Sequence, residues 1–356
     1  MLEDGVVECL ACSWRCKIKK NGVGICGVRV NNEGKLKLMV DNQAVGLSPD
    51  PIEKKPLFHF LPGSKALSFG TLGCNFDCAF CQNWFQSQAA KKLKGNREGL
   101  KSLINKYSVR CEPEEVVRLA KDKGCQSIAY TYNEPAVFVE YALKTMKLAR
   151  TAGLKNVWVS NGFESDESIK SIVPYLDAIN IDIKSLREGF YRKICVAKIE
   201  PVLRNIRKIF KTGVWLELTT LIIPDENDSK KELKEVADFM AGLSVDIPWH
   251  VTAFRPDYKM RDKDPTDGRK LEEAWEIGKK AGLNYVYVGN VPNEEHSKTV
   301  CPQCNNLLIE RVGYAAPMLP RYTSGSSGVP AAGAEKEGLE EGKCKECGEK
   351  IAGVWK

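Results

Sequence analysis

The chain has 356 residues, 43% of them hydrophobic, which is enough for one barrel-sized domain or two ordinary ones. Lysine and arginine total 53 against 46 acidic residues, a net charge of +7. So small an excess permits an acidic or polyanionic partner but does not favour nucleic-acid binding. The apolar stretches reach only strand length, far below the roughly 20 residues of a membrane helix. The N-terminus also lacks the basic end and apolar core of a signal peptide, so the sequence predicts a cytoplasmic protein without a membrane segment.

Cysteine is abundant, with 14 residues against 3 histidines. In a reducing compartment this pattern favours thiolate metal sites, and therefore iron–sulfur clusters or zinc, over disulfides. Most of the cysteines form an N-terminal set (Cys9, Cys12, Cys16 and Cys26), a central set (Cys74, Cys78 and Cys81) and a C-terminal set (Cys301, Cys304, Cys344 and Cys347). The sets predict a Cys-rich segment at 1–60, a central domain at 61–295 and a second Cys-rich segment at 296–356. Within the last, the Ser- and Gly-rich stretch 324–342 is predicted to be a loop or linker.

The central region alternates strand-like and helix-like patterns. Short β-rich runs, several apolar at nearly every position, predict buried strands at 65–70, 126–132, 156–162, 178–184, 214–223, 249–254 and 284–289. Amphipathic runs between them predict helices at 112–124, 137–153, 201–213, 228–242 and 267–282. Strands that alternate with helices form parallel βαβ units. The sequence therefore predicts an α/β fold with a partial or full TIM-like (βα) barrel, flanked by the two Cys-rich segments.

Polar residues stand where several of these apolar strands end. In βα barrels the chemistry gathers at the carboxyl ends of the strands, because the loops there build the active site. The sequence therefore places its candidate functional side chains at that edge. They are Asn133, Glu134, Ser160, Asn161, Asp182, Lys184, Thr219, Thr220 and Asp225.

The loop GTLGCNFDCAFCQNW (70–84) follows the first predicted strand and holds the central set in a C-x3-C-x2-C spacing. Three thiolates cannot complete a tetrahedral zinc site, but they can bind three irons of a [4Fe–4S] cubane and leave the fourth iron open. An activating cluster requires an open iron, since the cofactor must chelate it. A zinc site or a fortuitous spacing is the competing interpretation.

The loop and its context resemble the radical S-adenosylmethionine (radical SAM) superfamily. Phe80 matches the aromatic residue that precedes the third cysteine there and shields the cluster. TYNEP (131–135) corresponds to the Gly-Gly-Glu motif after the second barrel strand, with Tyr132 and Asn133 in place of the glycines. Further segments that resemble the glycyl-radical-enzyme activases are VSNGF (159–163), DIK (182–184) and LIIPDEND (221–228).

This resemblance implies a barrel of the radical SAM type, whose cluster reductively cleaves S-adenosylmethionine to a 5′-deoxyadenosyl radical that abstracts hydrogen from a substrate. Glu134 and Asn133 are then expected to contact the methionine amine, and Ile223 and Pro224 the adenine. The residues expected to orient the carboxylate and ribose are Ser160, Asn161, Asp182 and Lys184. The electron is expected from a low-potential reductant of the ferredoxin or flavodoxin type.

Motifs at both ends of the chain narrow the resemblance. C-x2-C-x3-C-x9-CGVR (9–29) and CPxC…CxxCG (301–348), together with the central motifs, resemble the radical SAM enzyme of the AmmeMemoRadiSam system. That family is similar in turn to pyruvate formate-lyase activating enzyme. The sequence departs from it at SWRC (13–16), where proline and then histidine or arginine usually precede the cysteine. The resemblance implies Memo-like and AMMECR-like partner proteins; the substrate, a protein that receives a glycyl radical or a small molecule, is left open.

For each of the two flanking cysteine sets, the sequence leaves two metal assignments open. The paired CxxC knuckles of the C-terminal set are typical of a structural zinc ribbon, although a rubredoxin-like iron would use the same geometry. The N-terminal set suits either one zinc or an auxiliary iron–sulfur cluster. The difference bears on mechanism, because an auxiliary cluster would carry electrons or anchor substrate.

The sequence does not identify a hydrogen-donating residue. Cys195, in FYRKICVAK after the fourth predicted strand, is the best-placed spare thiol, with a buried structural cysteine as its competing interpretation. An alternative function is a zinc-ribbon module that binds nucleic acid or protein without catalysis. Another is a methyltransferase that uses the same cofactor without radicals. The barrel pattern argues against the module, and the central cysteine loop argues against both.

Overall fold

The computed structural model describes residues 5–93, 96–291, 295–312, 333–335 and 337–356. Two short hairpins come first: β1 (Val7–Glu8) pairs with β2 (Lys17–Ile18), and β3 (Arg29–Asn32) pairs with β4 (Lys35–Leu38). The strands of the central sheet are β5 (Gln43–Pro51), β6 (Lys65–Gly70), β7 (Val109–Arg110), β8 (Ser127–Tyr130), β9 (Lys155–Ser160), β10 (Ala178–Asp182), β11 (Trp215–Ile222), β12 (Trp249–Ala253) and β13 (Val286–Gly289). Each predicted strand is present, with bounds that differ by no more than two residues.

The order of the nine-stranded sheet is β13-β12-β11-β10-β9-β8-β6-β5-β7. The strands β6 and β8 to β13 run parallel to one another, while β5 pairs antiparallel with β6 and β7 antiparallel with β5. A strand order that follows the chain is that of a βα barrel, whereas a doubly wound sheet reverses at a switch point. Among the described residues, β13 and β7 form the two edges and do not pair with each other. The predicted barrel is therefore a partial one.

Helices connect the strands on the outside of the sheet. They are α1 (Trp84–Gln88), α2 (Arg97–Tyr107), α3 (Pro113–Asp122), α4 (Val139–Thr151), α5 (Asp166–Ile172), α6 (Glu188–Phe190), α7 (Glu200–Phe210), α8 (Lys230–Ala241) and α9 (Gly268–Lys280). The five predicted helices are α3, α4, α7, α8 and α9. Although α1, α2, α5 and α6 were not predicted, α2 and α5 begin at ordinary N-caps: Asn96 accepts from Gly99 N, and Ser165 from Ser168 N. None of the helices that the structure describes has the length and apolar character needed to span a membrane.

The N-terminal segment packs on the edge where the parallel strands end, called here the carboxyl edge. Ser13 N donates to Phe163 O at 2.9 Å, and Ser168 Oγ donates to Ala11 O at 2.7 Å. Buried residues of this segment, among them Cys9, belong to the same apolar core as the barrel. The predicted boundaries at residues 60 and 295 stay predictions.

The C-terminal segment packs on the opposite edge, where the parallel strands begin, called here the amino edge. Cys301 and Cys344 share a separate apolar cluster with Phe58 and with Tyr285, the residue that precedes β13. The strands of this segment are β14 (Thr299–Val300), β15 (Leu307–Val312), β16 (Gly333–Glu335), β17 (Leu339–Glu340) and β18 (Lys343–Cys344). Residues 324–332 and 336 of the predicted loop or linker 324–342 lie outside the described residues, and the prediction is wrong for part of the rest, because β16 pairs with β15 and β17 with β18.

A buried carboxylate binds the loop before β6 to the sheet at the amino edge. Glu217, on β11, accepts from Phe58 N, His59 N and Trp215 Nε1, and its Oε2 lies 2.6 Å from His250 Nε2. Burial alone would raise the pKa of Glu217, but the contact with His250 lowers it below its usual value. The carboxylate is therefore satisfied by the protein itself, and His250 serves the fold rather than a cofactor.

Candidate active site

The central cysteine set lies between β6 and α1, at the carboxyl edge, with Cys74 buried and Cys78 and Cys81 half-buried. Within the described parts of the chain, only the C-terminal set brings three or more candidate ligand atoms within 4.8 Å of one another. The three central sulfurs therefore do not converge on one point. Thiolates on one tetrahedral zinc lie about 3.8 Å apart, whereas thiolates on separate irons of a cluster lie further apart. The spacing suits a cubane better than a single ion.

The protonation of these thiols also bears on metal binding. Burial raises the pKa of Cys74 to about 12 and that of Cys81 to about 11. The neighbouring thiol of Cys195 raises the pKa of Cys78, and burial raises it further. A metal that binds here must displace three protons, as thiolate sites generally require.

The loop that carries the set is held from two sides. Gly73 has a φ of +89°, and a Cβ on it would lie 2.7 Å from Cys26 O in the N-terminal segment, so this close approach requires glycine. From the sheet side, Asn133 Nδ2 donates to Gly73 O at 2.6 Å and to Thr71 Oγ1 at 3.1 Å. The Asn133 amide, which the resemblance assigns to cofactor contact, is thus engaged in fixing the cysteine loop.

One buried donor beside Cys74 lacks a partner in the protein. Asn75 is 1% exposed, and its Oδ1 accepts from Asn161 Nδ2 at 2.8 Å. Its Nδ2 has no hydrogen-bond partner. A buried polar group left unpaired costs about 1–3 kcal/mol, so this donor fits a site where a cluster sulfide or a cofactor oxygen accepts from it. The residues present therefore fit the cluster that the sequence predicts.

Glu134 lies at the end of β8 with its carboxyl group fully buried. Its Oε2 accepts from Asn161 N at 2.8 Å and its Oε1 from Ala136 N at 3.0 Å. Burial, and then the charge of Glu164, raise the pKa of Glu134 to about 8. This buried acid would gain from an ammonium group, whose charge would replace the missing solvation.

A serine bridges Glu134 to a second buried acid. Ser160 Oγ lies 3.1 Å from both Glu134 oxygens and 2.6 Å from Glu164 Oε1. A hydroxyl carries one proton, so Ser160 donates to one carboxylate and the second contact requires a proton on the other group. The raised pKa of Glu134 supplies that proton near neutral pH. Ser160, Glu134 and Asn161 are thus brought together, as predicted for strand ends that share an edge.

A cation sits beside the cysteine loop. Lys184 Nζ donates to Asp182 Oδ2 at 2.6 Å and lies 5.6 Å from the centroid of the Phe80 ring. The lysine side chain is only 8% exposed, whereas that of Asp182 is 41% exposed. Phe80 is itself buried. These three predicted residues therefore form one group next to Cys78, where the lysine charge offsets part of the rise in the pKa of that thiol caused by Cys195 and burial.

The remaining predicted residues lie on or just after β11. Ile223 is fully buried, and the half-buried Pro224 beside it is the apolar residue that is partly exposed at the carboxyl edge. Thr219 Oγ1 donates to Asn180 Oδ1 and Thr220 Oγ1 to Ile183 O, so both serve the sheet. Asp225, beyond them, is exposed.

Cys195 lies against the cluster loop. It is fully buried in the π-helical segment Tyr191–Cys195. Its carbonyl accepts from Asp77 N at 3.0 Å, and its thiol is near enough to Cys78 to raise the pKa of that residue. This position makes it a neighbour of a proposed cluster ligand.

The C-terminal set has the geometry of a single-ion site. Cys301 Sγ lies 3.6 Å from Cys347 Sγ, and Cys304 Sγ lies 3.7 Å from Cys344 Sγ. These separations match thiolates on one tetrahedral ion, about 3.8 Å apart. A backbone N–H bond from Cys347 lowers the pKa of Cys344, which favours the thiolate that a metal requires.

Several residues of the site were not singled out in the sequence. Asn75 and Glu164 each adjoin a predicted motif, and that adjacency was the available signal. Trp14 is different: its Nε1 donates to Asn75 O at 2.9 Å across 61 positions of sequence. A contact between residues so far apart in the chain leaves no pattern in the sequence around either residue.

The geometry agrees with comparisons to known proteins. A family model of the radical SAM superfamily matches residues 69–240. The chain is 38% identical over 351 residues to the uncharacterized protein MJ0808 of Methanocaldococcus jannaschii. This alignment covers 98% of this chain and 96% of the relative. It is 24% identical over 127 residues to the (2S)-3-sulfopropanediol dehydratase activating enzyme of Klebsiella oxytoca, covering 34% of this chain and 40% of that one.

A domain of pyruvate-formate lyase-activating enzyme from Bacteroides vulgatus aligns with a TM-score of 0.41 and 18% identity, over 46% of this chain and 98% of that one. From the family model and its relatives, the chain belongs to the radical SAM superfamily. It is an enzyme with similarity to activating enzymes of that superfamily.

Proposed function

We propose that the chain is the radical SAM enzyme of an AmmeMemoRadiSam-type system and that Cys74, Cys78 and Cys81 hold its [4Fe–4S] cluster. The observation that carries the proposal is the spread of these three sulfurs at the carboxyl edge, beside an unpaired buried donor on Asn75. When bound, the cluster supplies the electron that cleaves S-adenosylmethionine and yields the 5′-deoxyadenosyl radical.

The polar residues at the strand ends would then bind and orient the cofactor. Glu134 would accept from its ammonium group, since that cation relieves a buried carboxylate whose pKa is raised. Asn161 and Ser160 would hold Glu134 in position for this contact. Lys184 would offer a positive charge to the cofactor carboxylate.

The remaining predicted roles complete the site. Asp182 would orient the ribose, the apolar pair Ile223 and Pro224 would cover the adenine, and Phe80 would exclude water from the cluster. Exclusion of water matters because it strengthens each electrostatic contact inside the site and protects a reactive radical.

The radical would abstract hydrogen from a protein glycine or from a small molecule. Similarity to the activating enzyme of Klebsiella oxytoca favours the protein substrate. The reductant would be a ferredoxin or flavodoxin, and Memo-like and AMMECR-like proteins would act in the same system.

The decisive experiment is reductive cleavage by the purified protein. The chain, purified without oxygen and reconstituted with iron and sulfide, should form 5′-deoxyadenosine from S-adenosylmethionine and dithionite. Cys78→Ala should abolish the product, because one iron loses its thiolate. Cys125→Ala is the control, since Cys125 is also a free cysteine of the barrel but lies outside all three sets. Formation of S-adenosylhomocysteine alone would instead indicate a methyltransferase without radical chemistry.

A further inference from the structure

We propose that the N-terminal cysteine set binds a second [4Fe–4S] cluster, with a protein thiolate on each of its four irons, rather than zinc. This site is separate from the one that cleaves the cofactor. The argument compares it with the central set and to that extent rests on the proposed function.

The four thiols of this set face a common interior. Cys9, Cys12 and Cys26 are buried and Cys16 is half-buried. Cys9 N donates to Cys16 O at 3.0 Å, which closes the loop between β1 and β2. Burial raises the pKa of Cys12, and the thiols of Cys26, Cys9 and Cys16 each raise it further, as close neighbours do. Three buried thiols and one half-buried thiol, all free of disulfides and grouped in one short segment of the chain, indicate a metal centre.

The spacing of the sulfurs separates a cluster from a single ion. No three sulfurs of the N-terminal set lie within 4.8 Å of one another, as judged over the described residues, whereas all four of the C-terminal set do. One tetrahedral zinc would hold its sulfurs about 3.8 Å apart. The central set, on the loop that fits a cubane, likewise has no three sulfurs this close together. The N-terminal thiols therefore lack the convergent arrangement of a single-ion site, which is what favours a cluster over zinc.

A buried cation stands next to these thiols. Arg29 is 2% exposed, its Nε donates to Val137 O at 2.9 Å, and its Nη1 donates to Glu140 Oε1 at 2.8 Å. Burial raises the pKa of Cys9, Cys16 and Cys26, and the positive charge of Arg29 offsets part of that rise. Four thiolates around a cluster leave a net negative charge in a buried site, and a fixed guanidinium partly offsets it.

The N-terminal set also adjoins the cofactor-cleaving loop. Cys26 O lies 2.7 Å from the position a Cβ on Gly73 would take, and Gly73 precedes Cys74. On the other side of the set, Trp14 Nε1 donates to Asn75 O, one residue past Cys74. A cluster here is close enough to its neighbour to exchange electrons with it.

The test is a count of iron, acid-labile sulfide and zinc in the full-length wild-type protein reconstituted without oxygen. We expect about eight irons, about eight sulfides and about one zinc per chain, because two cubanes accompany one zinc ribbon. About four irons and sulfides with about two zinc ions would overturn the proposal. An iron in the C-terminal set would add no sulfide, so the sulfide count decides independently of that site.

Two variants locate the second cluster. The triple variant Cys74→Ala, Cys78→Ala, Cys81→Ala should keep about four irons and four sulfides, and reduction should give an electron paramagnetic resonance signal that S-adenosylmethionine does not alter. Adding Cys12→Ser and Cys16→Ser should remove that iron, while adding Cys111→Ser and Cys125→Ser, the matched control, should not. A triple variant without sulfide would refute the N-terminal cluster. The proposed function is tested separately, because it fails only if wild-type protein forms no 5′-deoxyadenosine.

Discussion

The two edges of the sheet each hold cysteines and a fully buried glutamate, yet they differ in how far the protein satisfies these groups. At the amino edge, the C-terminal sulfurs converge on one point, and Glu217 is ionised by its contact with His250. At the carboxyl edge, the sulfurs of both sets are spread, and burial raises the pKa of Glu134 to about 8. At the amino edge the buried carboxylate is paired within the protein, whereas at the carboxyl edge the buried carboxyl group would gain a charged partner from a bound cofactor.

The difference shows that burial and residue type alone do not separate a structural site from a functional one. Glu217 and Glu134 are equally buried and both accept backbone N–H bonds, but a histidine contacts the first and a second acid lies near the second. A buried charge or hydrogen-bond donor without a partner costs free energy. Such groups are retained mainly at sites where a bound ligand supplies the partner. Four changes test this comparison.

Removing the metal from the C-terminal set should have the largest effect on folding. Cys344→Ser deletes a ligand of the proposed zinc site, and structural zinc contributes on the order of 10 kcal/mol to the folding of small metal modules. We expect loss of zinc and rapid proteolysis after β13, measured by metal analysis and limited trypsin digestion. Cleavage of S-adenosylmethionine should persist, because the module packs at the amino edge. Loss of cleavage in a protein whose barrel stays folded would contradict the division between the edges.

Glu217→Gln should have the second-largest effect, a loss of folding stability. The substitution replaces one buried carboxylate oxygen by an amide nitrogen that cannot accept, and each buried donor left without an acceptor costs about 1–3 kcal/mol. The free energy of unfolding, measured by urea titration, should fall by that amount. The affinity for S-adenosylmethionine should stay near that of the wild type, and a large drop in affinity at unchanged stability would place Glu217 in the active site.

Glu134→Gln is the matched change at the other edge. It removes the acceptor proposed for the cofactor ammonium, a charged hydrogen bond worth about 1.5–3 kcal/mol, so binding should weaken by about 10- to 150-fold. The stability should change little, because the amide replaces an acid that is already protonated near neutral pH. Equilibrium binding of S-adenosylmethionine to the holoenzyme, together with urea titration, checks both expectations.

The raised pKa of Glu134 predicts that the affinity for the cofactor depends on pH. Since the pKa of Glu134 is raised to about 8, the carboxyl is mostly protonated at pH 6 and gains charge as the pH rises. Below the range in which an α-amine loses its proton, affinity for the cofactor should therefore increase with pH, by up to about tenfold per unit. Glu134→Gln should flatten this profile. A wild-type profile that is already flat between pH 6 and 7.5 would count against the ammonium contact.

Cys195→Ala should have the smallest effect. In the metal-free protein the contact with Cys195 favours the protonated Cys78 thiol. Once Cys78 is a cluster thiolate it can only accept, so the S–H group of Cys195 would become the donor, and its loss would remove on the order of 0.5 kcal/mol, equivalent to about 20 mV in the cluster potential. The potential should shift downward, because a donor to sulfur favours the reduced cluster. Redox titration by electron paramagnetic resonance measures it. Loss of 5′-deoxyadenosine formation, rather than a shift, would make Cys195 a participant in the chemistry.

The sequence predicted the barrel because its strands are continuous apolar runs, a pattern that few other elements share. It also predicted which strand ends carry polar residues, and the structure brings Glu134, Ser160 and Asn161 into contact. Short helices such as α5 escaped prediction, since one turn of apolar residues is a weak periodic signal.

Contacts that depend on the path of a turn or of a distant segment could not be predicted in the same way. The bridge from Ser160 to Glu164 depends on the turn after β9, and the bond from Trp14 to Asn75 depends on how the N-terminal segment folds back. The choice between zinc and a cluster at the N-terminal set also needed coordinates. Spacing along the chain counts ligands, but only the distances between sulfurs indicate how many metal ions they surround.

The most direct test of the central account is electron–nuclear double resonance on the reduced protein with S-adenosylmethionine labelled with 15N and 17O in its methionine part. We predict coupling of the amino nitrogen and a carboxylate oxygen to the cluster on Cys74, Cys78 and Cys81. A cluster signal that the labelled cofactor leaves unchanged, or zinc in place of iron on this loop, would contradict the account.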